Sequence, residues 1–250
     1  MTDQTFKPPG LVPSTQAGTI ANANTSSITQ PKAGVVSVKR SLHDRLRNPV
    51  QPTGALQADA MPNRLALLLD CSGSMRGDKI ASLRDACTNF VQCCNMADTS
   101  LALETFGLDD ADTTRLPLTC FAPFLQTTIQ TLSACGSTPM DKAMQYVLEH
   151  YSLTRCVLVS DGEPDNELRV HELAQLYREA QLPCDCVHIG ASARGEACLR
   201  RVAEVTGGQY IKFTDIASFS RSFKYLTPAF YGQLTSGSVT AAQLGATEIK

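Results

Sequence analysis

The sequence predicts a doubly wound α/β domain, a mainly parallel sheet with helices on both faces, and three observations predict it. Apolar runs of strand length, such as Leu65 to Leu69 and Cys156 to Val159, are continuous rather than alternating, as in strands covered on both faces. Segments with apolar residues at helical spacing lie between these runs. Connections of ten residues or more between strands read as right-handed crossovers.

Arg64 to Leu69 is the first buried strand. Ile80, Leu83, Cys87, Phe90, Val91 and Cys94 then recur at helical spacing and give a helix over 78–96. Leu101 to Phe106 forms a second strand; Leu116 to Phe121 forms a weaker one, which Pro117 pushes to a sheet edge because it has no N–H to donate. A short helix around Leu125 to Leu132 leads to the loop Gly136-Ser137-Thr138-Pro139. Met140, Ala143, Met144, Val147, Leu148 and Tyr151 place a helix directly after that loop, with Pro139 in its first turn. Arg155 to Ser160 is the next buried strand, and Val170, Leu173, Ala174 and Tyr177 mark the helix after it. Cys184 to Ile189 is a further strand, followed by a helix through Leu199, Val202 and Ala203 that Gly207-Gly208 closes. Gln209 to Phe213 is the last strand, and Asp215 reads as the N-cap of a helix carrying Ile216, Phe219, Phe223 and Leu226.

Both ends of the chain lack such periodicity. Residues 1–63 are crowded with Pro, Thr, Ser, Asn, Gln and Gly and read as an extended or disordered arm, whose one concentrated feature is Val35 to Arg47. The domain proper is expected over 64–226, with 227–250 as a C-terminal tail. The arm carries six basic residues against three acidic ones, so the net charge of −2 divides into +3 before Arg64 and −5 after it. That balance gives no reason to expect nucleic acid or an anionic membrane as partner. No stretch approaches 18 continuous apolar residues, and no apolar leader opens the chain. Several of the ten cysteines sit inside strand and helix patterns, and all are read as reduced core residues of a cytoplasmic protein. Cys184-Asp185-Cys186 puts two thiols on one strand face, read as packing. His43, His150, His171 and His188 are scattered, none with a partner at ligand spacing.

Ligands in such sheets bind beyond the carboxyl ends of the strands. There the first strand ends in Asp70-Cys71-Ser72-Gly73-Ser74, the strand from Arg155 ends in Ser160-Asp161-Gly162-Glu163, and the Gly136 to Pro139 loop opens a helix at the same face. Two carboxylates emerging together repel each other and are costly to bury, and a divalent cation removes both difficulties. Asp70 and Asp161 supply charge, Ser72, Ser74 and Thr138 supply neutral oxygens, and Gly73 lets the loop curl. An all-oxygen set calls for a hard ion, Mg²⁺ first, with Mn²⁺ or Ca²⁺ as substitutes.

Asp70-x-Ser72-x-Ser74, Thr138 in Gly-Ser-Thr-Pro and Asp161-Gly after a strand resemble the metal-ion-dependent adhesion site of the von Willebrand factor A family, in order and spacing from about Arg64 to Leu226. The resemblance implies a Rossmann-like fold whose six-stranded sheet has one antiparallel edge strand. It implies direct metal bonds from Ser72, Ser74 and Thr138, water-mediated ones from Asp70 and Asp161, and an open position for a partner's Glu or Asp. It also implies a non-enzymatic protein-interaction module, with a MoxR-type AAA+ ATPase among the partners of intracellular relatives. A different class of function is a structural subunit of a filament, shell or virion, in which the arm ties neighbouring copies together. A metal-dependent phosphatase ranks last, because the second carboxylate it needs two residues after Asp70 is Ser72.

Overall fold

The computed structural model describes residue 58 and residues 60–107 and 113–250. The expected arm falls outside these residues apart from 58 and 60–63, as does the acidic loop Asp109, Asp110 and Asp112. Strand β1 spans Asn63–Asp70, helix α1 Asp78–Cys93, β2 Thr99–Phe106, β3 Arg115–Thr119, α2 Ala122–Gln130 and α3 Met140–His150. They are followed by β4 Arg155–Ser160, α4 Glu167–Glu179, β5 Cys184–Ile189, α5 Ala193–Thr206, β6 Tyr210–Phe213 and α6 Ile216–Ser222. Helices α7 Pro228–Thr235 and α8 Ala241–Leu244 and strand β7 Glu248–Ile249 complete the chain.

Seven strands pair in the order β3-β2-β1-β4-β5-β6-β7. The five central ones are parallel, whereas β3 runs antiparallel on β2 and β7 antiparallel on β6. The Pro117 strand therefore takes the antiparallel edge expected of it. Because successive side chains point to opposite faces, each central strand feeds two cores. Leu65, Leu67, Leu69, Val157 and Val159 pack with Leu83, Phe90, Phe219 and Phe223 from α1 and the α6 region. On the other face Ala66, Leu68, Cys156 and Leu158 pack with Met144, Val147, Leu173 and Leu199 from α3, α4 and α5.

The expected tail is corrected. Residues 228–249 form two helices and a seventh strand, so the sheet exceeds the six strands the resemblance implied. Leu234 and Leu244 are buried, and Tyr210 and Lys250 exchange backbone hydrogen bonds across the β6–β7 pair. Arg200 grips Glu248 with both guanidinium nitrogens, at 2.8 and 2.6 Å. The segment is about as apolar as the rest of the chain, but its helices span only eight and four residues, so periodicity does not reveal it; its anchors are a few side chains and a two-residue strand. The ten cysteines are all free thiols, seven of them buried.

Candidate metal centre

The chain runs outward from β1 through β2 to β3 and returns on the other side of β1 as β4, so the strand order reverses between β1 and β4. A crevice opens at such a reversal, beyond the carboxyl ends of the strands. Asp70 closes β1 and Asp161 follows β4, which puts both carboxylates at that crevice.

Asp70 is fully buried. Its Oδ1 accepts from the backbone N–H of Ser72 at 2.8 Å, and its Oδ2 accepts from the Ser160 hydroxyl at 2.5 Å. The Ser72 and Ser74 hydroxyls share a hydrogen bond of 2.9 Å, and Ser74 Oγ donates to Asp161 Oδ1 at 2.7 Å. Four of the five expected ligands thus form one continuous hydrogen-bonded chain, with Ser72, Ser74 and Asp161 linked oxygen to oxygen and Asp70 joined through the Ser72 amide. Thr138, itself buried, is held beside it through the backbone: its N–H donates to Asp165 Oδ1 at 3.0 Å, and its carbonyl accepts from the Asp165 N–H at 3.0 Å. Two further bonds seat that loop, from the Gly73 N–H to the Gly136 carbonyl at 3.0 Å and from the Cys135 N–H to the Cys71 carbonyl at 2.8 Å.

Sequence reasoning missed four supporting residues. Ser160 and Asp165 look like ordinary strand-end and loop residues until the fold shows what they hold. Gly107, after β2, has φ +111° and lies so close to the first loop that a Cβ would sit 2.3 Å from Ser72 N, so only glycine fits there. Lys79, in the first turn of α1, places its ammonium on Asp161 Oδ2 and donates to the Ser74 carbonyl at 3.2 Å. Its one signal in the sequence is a cation where the helix dipole favours an acid. Gly73 has no left-handed φ; its role is close approach, since a Cβ there would be 3.3 Å from the Gly136 carbonyl.

Burial pushes the Asp70 carboxyl up to about 6, against the hydrogen bonds from Ser160 and Ser72, and the nearby charge of Asp161 adds to the rise. Its direct partners are two hydroxyls and a backbone amide, none of them cationic. The donor set fits a hard divalent ion. Octahedral Mg²⁺, about 2.1 Å from each ligand, keeps neighbouring oxygens about 3.0 Å apart, close to the 2.9 and 2.7 Å spacings along the Ser72–Ser74–Asp161 chain.

A fold of this class, with an oxygen-rich crevice at the strand reversal, defines an α/β domain able to seat a cation. The family profile described as von Willebrand factor type A domain matches residues 63–211, well over half of the chain, and the protein belongs to that family. Domains of this family are typically metal-dependent protein-interaction modules and generally non-catalytic. No curated protein matches the chain in sequence. Among solved structures, the VWA domain of SpRpn10 is 16% identical, with a TM-score of 0.53 over 66% of this chain and 95% of that one. The von Willebrand domain of the type V pili tip protein Mfa5 from Porphyromonas gingivalis is 11% identical, with a TM-score of 0.53 over 72% of this chain and 97% of that one. Proximal thread matrix protein 1 from the mussel byssus, solved with zinc in its metal site, is 15% identical, with a TM-score of 0.54 over 66% of this chain. This chain spans 44% of that mussel protein's length. At these identities the likeness shows a common fold. Among the described residues, no helix is long and apolar enough to cross a membrane.

Proposed function

We propose that Asp70, Ser72, Ser74, Thr138 and Asp161 hold one divalent cation, Mg²⁺ by the chemistry of the donors, and that this cation captures a Glu or Asp side chain of a partner protein. The observation that carries this reading is the unbroken chain of hydrogen bonds from a buried, uncompensated Asp70, through the Ser72 amide, to the linked oxygens of Ser72, Ser74 and Asp161. Ligation by neutral hydroxyls leaves the ion much of its charge, so an incoming carboxylate completes its coordination. The protein is then a non-enzymatic adaptor of a reducing, cytoplasmic compartment, which suits ten free thiols. The family resemblance puts a MoxR-type AAA+ ATPase first among partner classes.

A pull-down with full-length wild type and Asp70→Ala, each in Mg²⁺ and in excess EDTA, tests the site and identifies the partner together. Capture falls at least tenfold, about 1.4 kcal/mol, in Asp70→Ala, in Ser72→Ala and on chelation, with the fold retained by circular dichroism. Partner binding undiminished in EDTA ends the proposal. Recovery of only further copies of this chain would replace the adaptor reading with the assembly one.

A further inference from the structure

Away from the crevice, α4 and α5 pack side by side and bring together three side chains of a different chemistry. Glu167 and His171 stand one turn apart on α4, and Cys198 faces them from α5. One ligand atom from each, a carboxylate oxygen, a ring nitrogen and the thiol sulfur, lies within 4.8 Å of the other two. Cys198 is fully buried, while Glu167 and His171 are half-buried and open the cluster toward solvent. The His171 Nε2 is buried with no hydrogen-bond partner, an arrangement that costs stability unless something binds there. The expectation that no histidine has a partner at ligand spacing is thereby corrected: Glu167 and His171 have i, i+4 spacing, and the third ligand arrives through tertiary packing.

We propose that Glu167, His171 and Cys198 form a second metal site that takes zinc, with three protein ligands and a water or an external ligand in the fourth position. The mix of thiolate, imidazole and carboxylate is zinc's and is foreign to Mg²⁺, so this site disfavours the ion proposed for the first. Tetrahedral zinc bonds of about 2.0–2.3 Å keep ligand atoms about 3.3–3.7 Å apart, and rotation of the half-exposed Glu167 and His171 closes the cluster to that size. On binding, the Cys198 S–H bond breaks, its proton goes to solvent and a Zn–S bond forms, so the thiolate and carboxylate together balance the ion's charge. Burial holds the free thiol protonated, pushed up to about 12, so binding strengthens as pH rises. Arg194 donates to Glu167 Oε2 at 3.1 Å and also pairs with Glu163, so it can release Glu167 to the metal and keep a partner. The site lies behind the loop that carries Asp161: α5 passes so near that loop that a Cβ on Gly195 would be 2.7 Å from the Gly162 carbonyl. An ion there ties the starts of α4 and α5 together under the first site.

Cobalt(II), zinc's spectroscopic stand-in, distinguishes the two sites, because only a thiolate ligand gives an intense near-ultraviolet charge-transfer band. Full-length protein in saturating Mg²⁺ should develop that band with one equivalent of Co²⁺, lose it to one equivalent of Zn²⁺ and keep it in Asp70→Ala. Cys198→Ser should abolish the band. His171→Gln and Glu167→Gln, at half-buried positions, should weaken Co²⁺ binding by at least the roughly 10–100-fold that loss of a merely supporting group costs a metal site. If Cys198→Ser does not fold, the other two variants decide. A wild-type protein without the band, a Cys198→Ser protein with it, or unchanged Co²⁺ affinity in both remaining variants overturns the proposal.

Discussion

Two aspartates are fully enclosed, at opposite ends of the same sheet, and their surroundings differ in one respect. Asp185, near the start of β5, is fully enclosed and accepts from Arg155 at 3.0 Å, from the Tyr231 hydroxyl at 2.9 Å and from the Gln209 N–H at 2.8 Å. The Arg155 guanidinium in turn lies 3.4 Å from the centre of the Tyr231 ring. Asp70, at the end of β1, is equally enclosed, but hydroxyls and an amide are its direct partners. Burial raises both carboxyls; at Asp185 the guanidinium is the largest opposing influence, at Asp70 the Ser160 hydroxyl is. The fold therefore sets a cation directly against the buried aspartate at one end of the sheet and none against the other, and on the function proposed above a bound ion completes that second end. The first arrangement serves stability, and the second, on that reading, keeps a charge available for binding.

Breaking the self-contained end should cost most. Asp185→Asn takes the counter-charge from the half-buried Arg155 and weakens a fully enclosed hydrogen-bond cluster, and should lower the unfolding free energy by about 3 kcal/mol in denaturant titrations at pH 7. A loss below 1 kcal/mol would remove the contrast. Asp70→Asn should act in the opposite direction when metal is stripped. Because folding raises this carboxyl from 3.8 to about 6, the folded state favours its acid form, and stability is lost as pH rises from about 4 through 6. At pH 8 in EDTA the variant should be the more stable protein by about 3 kcal/mol, with a flatter pH profile. Mg²⁺ at a hundred times its dissociation constant should return about 2.7 kcal/mol to wild type alone. Equal stabilities in EDTA would show that Asp70 carries no burial penalty. Tyr231→Phe removes one hydrogen bond to a charged group and should cost about 1.5–3 kcal/mol, which calorimetry can read. No loss at all would mean that the C-terminal helices merely rest on the sheet.

The same contrast explains what was legible in the sequence. The metal end is written locally: Asp70, Ser72 and Ser74 are consecutive alternate residues, and Thr138 and Asp161 each sit in a short turn at a strand or helix end. The Asp185 end is written nowhere in one place. Its partners lie 30 residues before it and 46 after it, and Tyr231 belongs to an eight-residue helix whose apolar residues are not gathered on one face, so it shows no helical period. Central strands were legible because burial on both faces demands unbroken apolar runs. Strand β7 was not, because two residues held by Arg200 leave no pattern. The Glu167–His171–Cys198 cluster lies between these cases: its i, i+4 pair is local, and only the packing of α4 on α5 supplies the thiol.

Lys79 offers the finest test of the comparison, because it is the nearest the metal end comes to an Arg155. Its ammonium reaches Asp161 rather than Asp70, and its side chain is 31% exposed against 23% for Arg155, while the two carboxylates are almost equally enclosed, at 1% and 0%. The cations differ in how they are anchored: Arg155 also stacks on the Tyr231 ring, whereas Lys79 adds a single bond to the Ser74 carbonyl, so solvent at its flexible head holds its contact to about 0.2–1 kcal/mol. On the proposed function, a lysine so placed pairs with Asp161 in the absence of metal and competes with the divalent ion for it. Lys79→Met keeps the aliphatic stem and removes the competing charge, so the first site should bind Mg²⁺ or Mn²⁺ roughly 1.5- to fivefold more tightly. Metal titrations followed by thermal shift can resolve that difference. Weaker binding in the variant would instead make Lys79 a support for the Asp161 loop, and the two ends of the sheet would then differ in how firmly their cation is held rather than in where it comes from.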